Sequence, residues 1–212
     1  MVSTIPGVRE VGRPRSFEDD TIFAATARVI ARLGQDRLTL AAIAEEVGCS
    51  APALVQRFGS KRALVRSYIE WSIAHNQLRW DQVSAGDHSP LESIKARVQL
   101  PRSARPDEVS DPDGFPSTVY FHLVAWEDEA LRPLVNDRRR AAEDELRRML
   151  VLATEAGEIG GCNEAELASI MFTAFTGAAL QSLASPDDRI EQRLGDLVDA
   201  LVAPYRTGAA RA

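Results

Sequence analysis

The sequence predicts an all-α protein. Apolar residues recur at three- and four-residue steps along most of the chain, and alternating strand patterns are scarce. Helix-capping Ser, Thr and Asn residues open the periodic stretches, and glycines close them. About nine helices follow, with no convincing strand and no internal repeat.

Residues 1–15 are polar, carry Pro6, Gly7, Gly12 and Pro14, and read as a flexible basic arm. Ser16 caps a first helix. The carboxylates of Glu18, Asp19 and Asp20 suit its positive end, Phe23, Ala27 and Ile30 line one face, and Gly34 ends it. Thr39 caps a short helix from Leu40 to Val47, stopped by Gly48. Ser50 caps another from Ala51 to Phe58, with Pro52 in the first turn where its missing N–H costs little. Gly59 breaks it. Ser60 then opens a long fourth helix in which Leu64, Tyr68, Trp71, His75 and Leu78 follow at steps of 4, 3, 4 and 3.

After a turn at Gly86–Pro90, a short helix spans Leu91 to Leu100. Residues 101–116 hold four prolines and read as a loop. Helix resumes from Ser117 to about Asp128, then from Leu131 to Ala156 with Gly157 as its stop. Asn163 followed by Glu166 is a capping-box variant that opens a helix to about Ala184. Asp187 or Asp188 opens the last helix, where Ile190, Leu194, Leu197, Val198 and Leu201 form a stripe ended by Pro204.

The chain has 212 residues, 45% hydrophobic and 26% charged, ordinary values for a globular protein. No apolar run reaches the ~18 residues of a membrane helix, and the first residues lack the apolar core of a secretory signal. Cys49 and Cys162 make no disulfide framework, so the expected compartment is the cytoplasm, with no membrane partner. The net charge of −6 speaks against a nucleic-acid partner until it is divided. Residues 1–69 carry ten Arg and Lys against seven Asp and Glu, and the remainder carries fifteen against twenty-four. A mildly basic head sits on an acidic body. Screening over about 8 Å at physiological salt lets the two act independently.

Thr39–Phe58 reads TLAAIAEEVGCSAPALVQRF. A helix of eight, a three-residue turn with Gly48, and a second helix of eight give helix-turn-helix spacing. Ile43, Ala44, Val47, Leu54 and Phe58 hold the pair together. Ser50, Ala51, Ala53, Gln56 and Arg57 are left outside, small or hydrogen-bonding, as a helix entering the major groove requires. Gln56 suits adenine and Arg57 guanine through paired hydrogen bonds, and either can bind phosphate instead.

The wider stretch resembles the N-terminal domain of the TetR family of bacterial repressors. The resemblance runs over about residues 12–70: the arm Gly12-Arg13-Pro14-Arg15, Thr39, Ile43-Ala44, Gly48, Leu54, Phe58, Ser60, Lys61 and Leu64. It implies that Arg13 and Arg15 reach the minor groove or backbone, that Lys61 binds phosphate, and that Thr39 adds a phosphate contact to its capping role. This chain departs from the family with Val55 where an aromatic, often Tyr, is usual, and Arg57 where His is frequent. Pro52 stands where small residues are common. Cys49, where Val is usual, reads as a small packing hydrophobe.

The expected organisation is an arm (1–15), a helix-turn-helix domain (16–70), a helical ligand-binding and dimerisation domain (71–203) and a tail (204–212). Arg138-Arg139-Arg140 reads as a solvated face with Arg139–Glu143, Arg140–Asp144 and Asp144–Arg148 pairs rather than a second basic patch. Trp71, His75, Trp80, Phe121, His122, Trp126, Met149, Met171 and Phe175 are candidates for an apolar pocket, each also readable as ordinary core. The resemblance implies a small-molecule cavity in this region, and such a lining suits a hydrophobic effector. Small residues around Ala174, Gly177 and Ala178, with Leu194, Leu197, Val198 and Leu201, predict a two-fold four-helix interface.

The function expected is a homodimeric, ligand-responsive DNA-binding regulator, a repressor on a pseudo-palindromic operator. The alternative is an all-helical interaction module that has lost specific DNA binding. Phosphate loops, paired metal ligands and nucleophile elbows are missing from the sequence, so neither enzyme, metal nor cofactor is expected.

Overall fold

The computed structural model describes residues 18–33, 37–99, 128–182 and 190–208. The elements are α1 (Asp19–Leu33), α2 (Leu40–Val47), α3 (Ala51–Phe58), α4 (Lys61–Ser84), α5 (Pro90–Gln99), α6 (Arg132–Glu155), α7 (Glu164–Ser182), α8 (Ile190–Val202) and a 3-10 turn, Ala203–Tyr205. The fold is all-α as the periodicity predicts, with only an isolated bridge between Ile159 and Arg206 among the described residues. The arm at 1–15 and all but Asp128 of the helix expected at 117–128 lie outside them.

The helices build two cores. In the first, Ile22, Phe23, Val29 and Ile30 of α1 meet Ile43 and Ala44 of α2, Leu54 of α3, and Leu64, Val65, Tyr68 and Ile69 of α4. Phe23 is its hub, with ring centroids 5.9 Å from Phe58, 6.4 Å from Tyr68 and 5.8 Å from Trp71. Such tilted rings add to the energy of burial alone. An Arg28–Glu46 ion pair at 2.8 Å ties α1 to α2.

The second core lies between α5, α6, α7, α8 and the far half of α4. Ile94, Leu150, Ala153, Met171, Ala179, Leu194, Val198 and Val202 are wholly buried there. Asn163 caps α7 through Oδ1, which accepts from the backbone N–H groups of Ala165 and Glu166 at 3.2 and 3.3 Å. Residues 204–207, expected as part of a tail, are held instead. Gly160 donates to the Tyr205 carbonyl at 2.8 Å, and Thr207 donates to that of Glu158 at 3.2 Å.

Two elements cross between the cores. At 24 residues, α4 is about 36 Å long and enters both. Leu131, which precedes α6, and Val135 within it are buried in the head core, far along the sequence from the rest of it. Asp128 accepts an ion pair from Arg62 at 2.6 Å beside them. The head therefore does not close at residue 70: it needs the start of α6.

The stripe expected along α4 is corrected at its far end, for Leu78 is 56% exposed while Trp80 and Val83 are buried. A repeat of seven residues slips about 20° around a straight helix per heptad, which carries the Leu64–Trp71–Leu78 line out to solvent. Ile69 and Trp80, eleven residues apart and close to three full turns, stay on one side.

The Arg-rich face of α6 is also adjusted. Arg139–Glu143 forms at 2.6 Å, but Arg140 pairs with Asp137 at 3.6 Å and Arg148 with Glu145 at 2.8 Å, three residues back instead of four away. Both spacings bring side chains together on a helix. Arg138 turns inward toward Tyr68, and burial lowers its guanidinium below the ordinary arginine value.

Leu131→Ala is expected to destabilise the head by about 2–4 kcal/mol, because it empties a buried site, whereas Leu78→Ala changes stability by less than about 0.5 kcal/mol. Urea unfolding followed by tryptophan fluorescence and circular dichroism measures both. Equal effects of the two substitutions would contradict the assignment of Leu131 to the head core.

Candidate nucleic-acid interface

The helix-turn-helix is closed by backbone geometry its sequence requires. Thr39 sits in extended conformation, and its side-chain oxygen accepts from the Ala42 N–H at 3.1 Å. At the other end of α2, Gly48 takes φ 78°, in the left-handed region that favours glycine. The Gly48 N–H donates to the Glu45 carbonyl at 3.2 Å and the Cys49 N–H to that of Ala44 at 2.8 Å, the paired bonds of a Schellman stop. α3 ends at Gly59, φ 80°, and Ser60 caps α4 by accepting from Ala63 at 3.1 Å. Cys49 is half-buried against the head core, and burial pushes its thiol up, so it stays protonated and packs as a hydrophobe.

Ser50 departs from expectation. Its backbone is in cap conformation, but its side chain makes no capping bond. The Ser50 carbonyl alone receives the first helical bonds, from Ala53 and Leu54 at 3.0 and 3.4 Å. Its hydroxyl is left at the exposed start of α3.

α3 turns Leu54 inward, with Phe58 half-buried behind it. Outward it shows Ala53, Val55, Gln56 and Arg57, with Pro52 beside them; Ala51 packs partly against the core. Val55 is 47% exposed, an unusual place for an aliphatic side chain on a helix of eight. The Gln56 side chain is exposed and makes no hydrogen bond with another described residue, which leaves its amide donors and carbonyl available. Thr39 and Ser60 use an oxygen lone pair for capping, and each keeps its O–H proton to donate.

The charges of the head are more engaged than composition suggests. Arg28 pairs with Glu46, Arg62 with Asp128, and Arg66 with Glu70 at 3.6 Å. Arg57 pairs with Asp19 at 2.8 Å and lies 5.9 Å from the Phe58 ring centroid. Lys61 is exposed at the start of α4 and makes no ion pair with another described residue. Arg13 and Arg15 lie outside the described residues. The role of Asp19 was not legible in the sequence, where its carboxylate reads only as a complement to the α1 dipole. No group of three or more His, Cys, Asp or Glu side chains able to hold a metal is present among the described residues.

This geometry agrees with sequence and structural relatives. Residues 22–68 match the family described as bacterial regulatory proteins, tetR family. The chain is 26% identical over 140 residues to the nucleoid occlusion factor SlmA of Vibrio vulnificus, which spans 66% of this chain and 69% of that protein. Its fold is shared by a TetR transcription regulator from Haloarcula marismortui, with a TM-score of 0.71, 17% identity, and 90% of this chain and 100% of that one covered. SmeT, the repressor of the Stenotrophomonas maltophilia multidrug efflux pump SmeDEF, has a TM-score of 0.60 and 18% identity, with 92% and 94% covered. The head of the chain, residues 22–68, is thus similar to the tetR-family model, and the whole chain shares the fold of solved TetR regulators.

In the structure the candidate pocket residues separate. Trp80, Met149, Met171 and Phe175 meet in the body core. Trp71 does not join them: it packs on the head core, donates from Nε1 to Asp20 Oδ1 at 2.8 Å and stacks on His75 at 4.5 Å. Phe121, His122 and Trp126 lie outside the described residues. Sequence reasoning missed Arg97, only 9% exposed, with its guanidinium 5.5 Å from the Trp80 ring centroid and donating to Asn76 Oδ1. The signal was available, since Arg97 follows Ile94 at a three-residue step on the buried face of α5.

The candidate dimer residues separate too. Leu194, Val198 and Ala178 are buried inside the chain's own core. The α8 stripe serves α5 and α7 of the same chain. Ala174, Gly177, Leu197 and Leu201 are half-buried, and Ile170 and Leu180 are 47% and 56% exposed on α7.

Thr39→Ala and Ser60→Ala are each expected to cost about 1 kcal/mol of stability through loss of a cap, whereas Ser50→Ala costs less than about 0.5 kcal/mol. Thermal unfolding of the three variants reads this ranking, and a Ser50→Ala loss as large as the others would contradict the cap geometry.

Proposed function

We propose that the chain is a homodimeric repressor that binds a pseudo-palindromic operator through α3 and is released by a small hydrophobic molecule. The observation that carries the reading is the outer face of α3, where Ser50, Ala53, Val55 and Gln56 are exposed on a helix that follows the Gly48 turn and ends at Gly59, both glycines at positive φ. Small side chains let the backbone approach base edges, Gln56 offers the donor and acceptor that adenine requires, and Val55 offers an apolar contact for a thymine methyl. Thr39, Ser60 and Lys61 flank α3 at the starts of α2 and α4, where hydroxyl and ammonium donors meet positive helix ends, an arrangement suited to phosphate. Arg13 and Arg15 of the arm add minor-groove or backbone contacts, and Arg57 is a phosphate ligand at the end of α3.

The same reading gives the dimer to the outer face of α7, through Ile170, Thr173, Ala174, Gly177 and Leu180, with Leu197 and Leu201 of α8. Exposed Ile170 and Leu180 beside Gly177 support it, since small residues allow close helix approach. The effector enters the body core at Trp80, Met149, Met171 and Phe175. α4 and Leu131, just before α6, lie in position to transmit the change, because each contributes to the head core. Coupling then consists of different ligand affinity for two head spacings. That SmeT, similar in fold, is a repressor supports the direction of regulation.

The test is fluorescence-anisotropy binding to a duplex selected by the wild-type protein from a randomised pool, over a salt series. Lys61→Ala is expected to lower the slope of log K against log salt by about one, and Gln56→Ala to cost about 1–3 kcal/mol at one base position only. Ile170→Lys is expected to yield monomers by light scattering and to abolish tight binding. Salt-insensitive binding, or tight binding by a stable monomer, contradicts the proposal.

A further inference from the structure

We infer that Asp19 acts as an internal substitute for a DNA phosphate, holding Arg57 in the free protein so that DNA must displace a carboxylate to claim it. The inference rests on the proposed role of Arg57 as a phosphate ligand. Asp19 opens α1 and Arg57 lies in the last turn of α3, so the pair joins two elements distant in sequence across the edge of the proposed DNA surface. Arg57 Nη2 donates to Asp19 Oδ1 at 2.8 Å, and the two side chains are 39% and 54% exposed. The Phe58 ring lies 5.9 Å from the guanidinium and limits the directions in which it can swing. An oxygen at hydrogen-bond distance on a charged, outward-facing arginine occupies the place a phosphate oxygen takes in a complex.

The neighbouring acid has a different task. Asp20 accepts from Trp71 Nε1 and fixes α1 against α4. Asp19 is thereby carried on an anchored helix end, so its hold on Arg57 is preorganised. An exposed pair is worth little by itself. That weakness suits an exchangeable contact: Arg57 is withheld from passing phosphates and surrendered where the rest of the interface has docked. While Asp19 stays beside it, Arg57 brings no net positive charge to the DNA, and counterion release at that phosphate is largely cancelled.

Equilibrium binding at several salt concentrations tests this on the full chain, with two probes: a random-sequence duplex and the duplex selected by the wild type. Asp19→Asn is expected to tighten binding to the random duplex about threefold and to steepen the salt slope by about one. Methylphosphonate substitution along the selected duplex is expected to reveal one phosphate per half-site to which both the wild type and Asp19→Asn are sensitive and Arg57→Gln is not. In an Arg57→Gln background the gain disappears. Circular dichroism melts of each variant establish folding. A loss of affinity in Asp19→Asn overturns the inference and makes Asp19 a positioning group for Arg57. An equal gain in the Arg57→Gln background overturns it in favour of a long-range field. If Arg57→Gln itself leaves binding unchanged, the phosphate role of Arg57 fails instead, and the inference falls with it.

Discussion

The structure depends on one helix serving two cores. The first half of α4 gives Leu64, Val65, Tyr68 and Ile69 to the head, and its second half gives Trp80 to the body. Neither core can rearrange at α4 without disturbing the other, because packed interiors resist continuous deformation. Leu131 and Val135 make the dependence mutual, since a body helix starts inside the head core. The Arg62–Asp128 pair closes the same junction from the surface. The position of α3 is therefore set by contacts that run into the body.

Charge in the head is organised locally. The basic excess of residues 1–69 suggests an open positive surface, but four described arginines have acidic partners. What faces outward around α3 is chiefly hydrogen-bonding capacity: the Ser50 hydroxyl, the Gln56 amide and the hydroxyl protons of Thr39 and Ser60. Such a surface gains more from well-placed bonds than from total charge, which favours discrimination over indiscriminate attraction. The acidic body adds to this by repelling DNA away from the head.

The fold was legible in the sequence wherever local rules govern it. Thr39, Gly48, Gly59, Ser60, Asn163 and Gly157 mark helix ends by capping or backbone freedom, and these act within four or five residues. The inward set Ile43, Ala44 and Leu54 followed from period alone. What escaped requires knowing which face meets which partner. Leu194 and Val198 form an apolar stripe that serves an internal neighbour as well as it would a second subunit, and periodicity cannot distinguish the two. Trp71 lies at the seam of two cores, so assigning it to either needs the tertiary contact with Asp20. Asp19–Arg57 spans 38 positions, and nothing local signals it. Arg97 was legible as a polar residue at a buried step, an inconsistency of the kind that marks functional or strained positions.

The central claim is that two copies of this chain present α3 to DNA at a spacing fixed by the helical body. Selection from a randomised duplex pool, followed by footprinting of the enriched sequence and measurement of its stoichiometry, tests it most directly. The expected result is a two-fold symmetric site, with half-site centres about one helical turn (~34–36 Å) or a multiple apart and at least one dimer bound. Enrichment of an asymmetric site bound by a single chain, or no enrichment at any salt concentration, would contradict it.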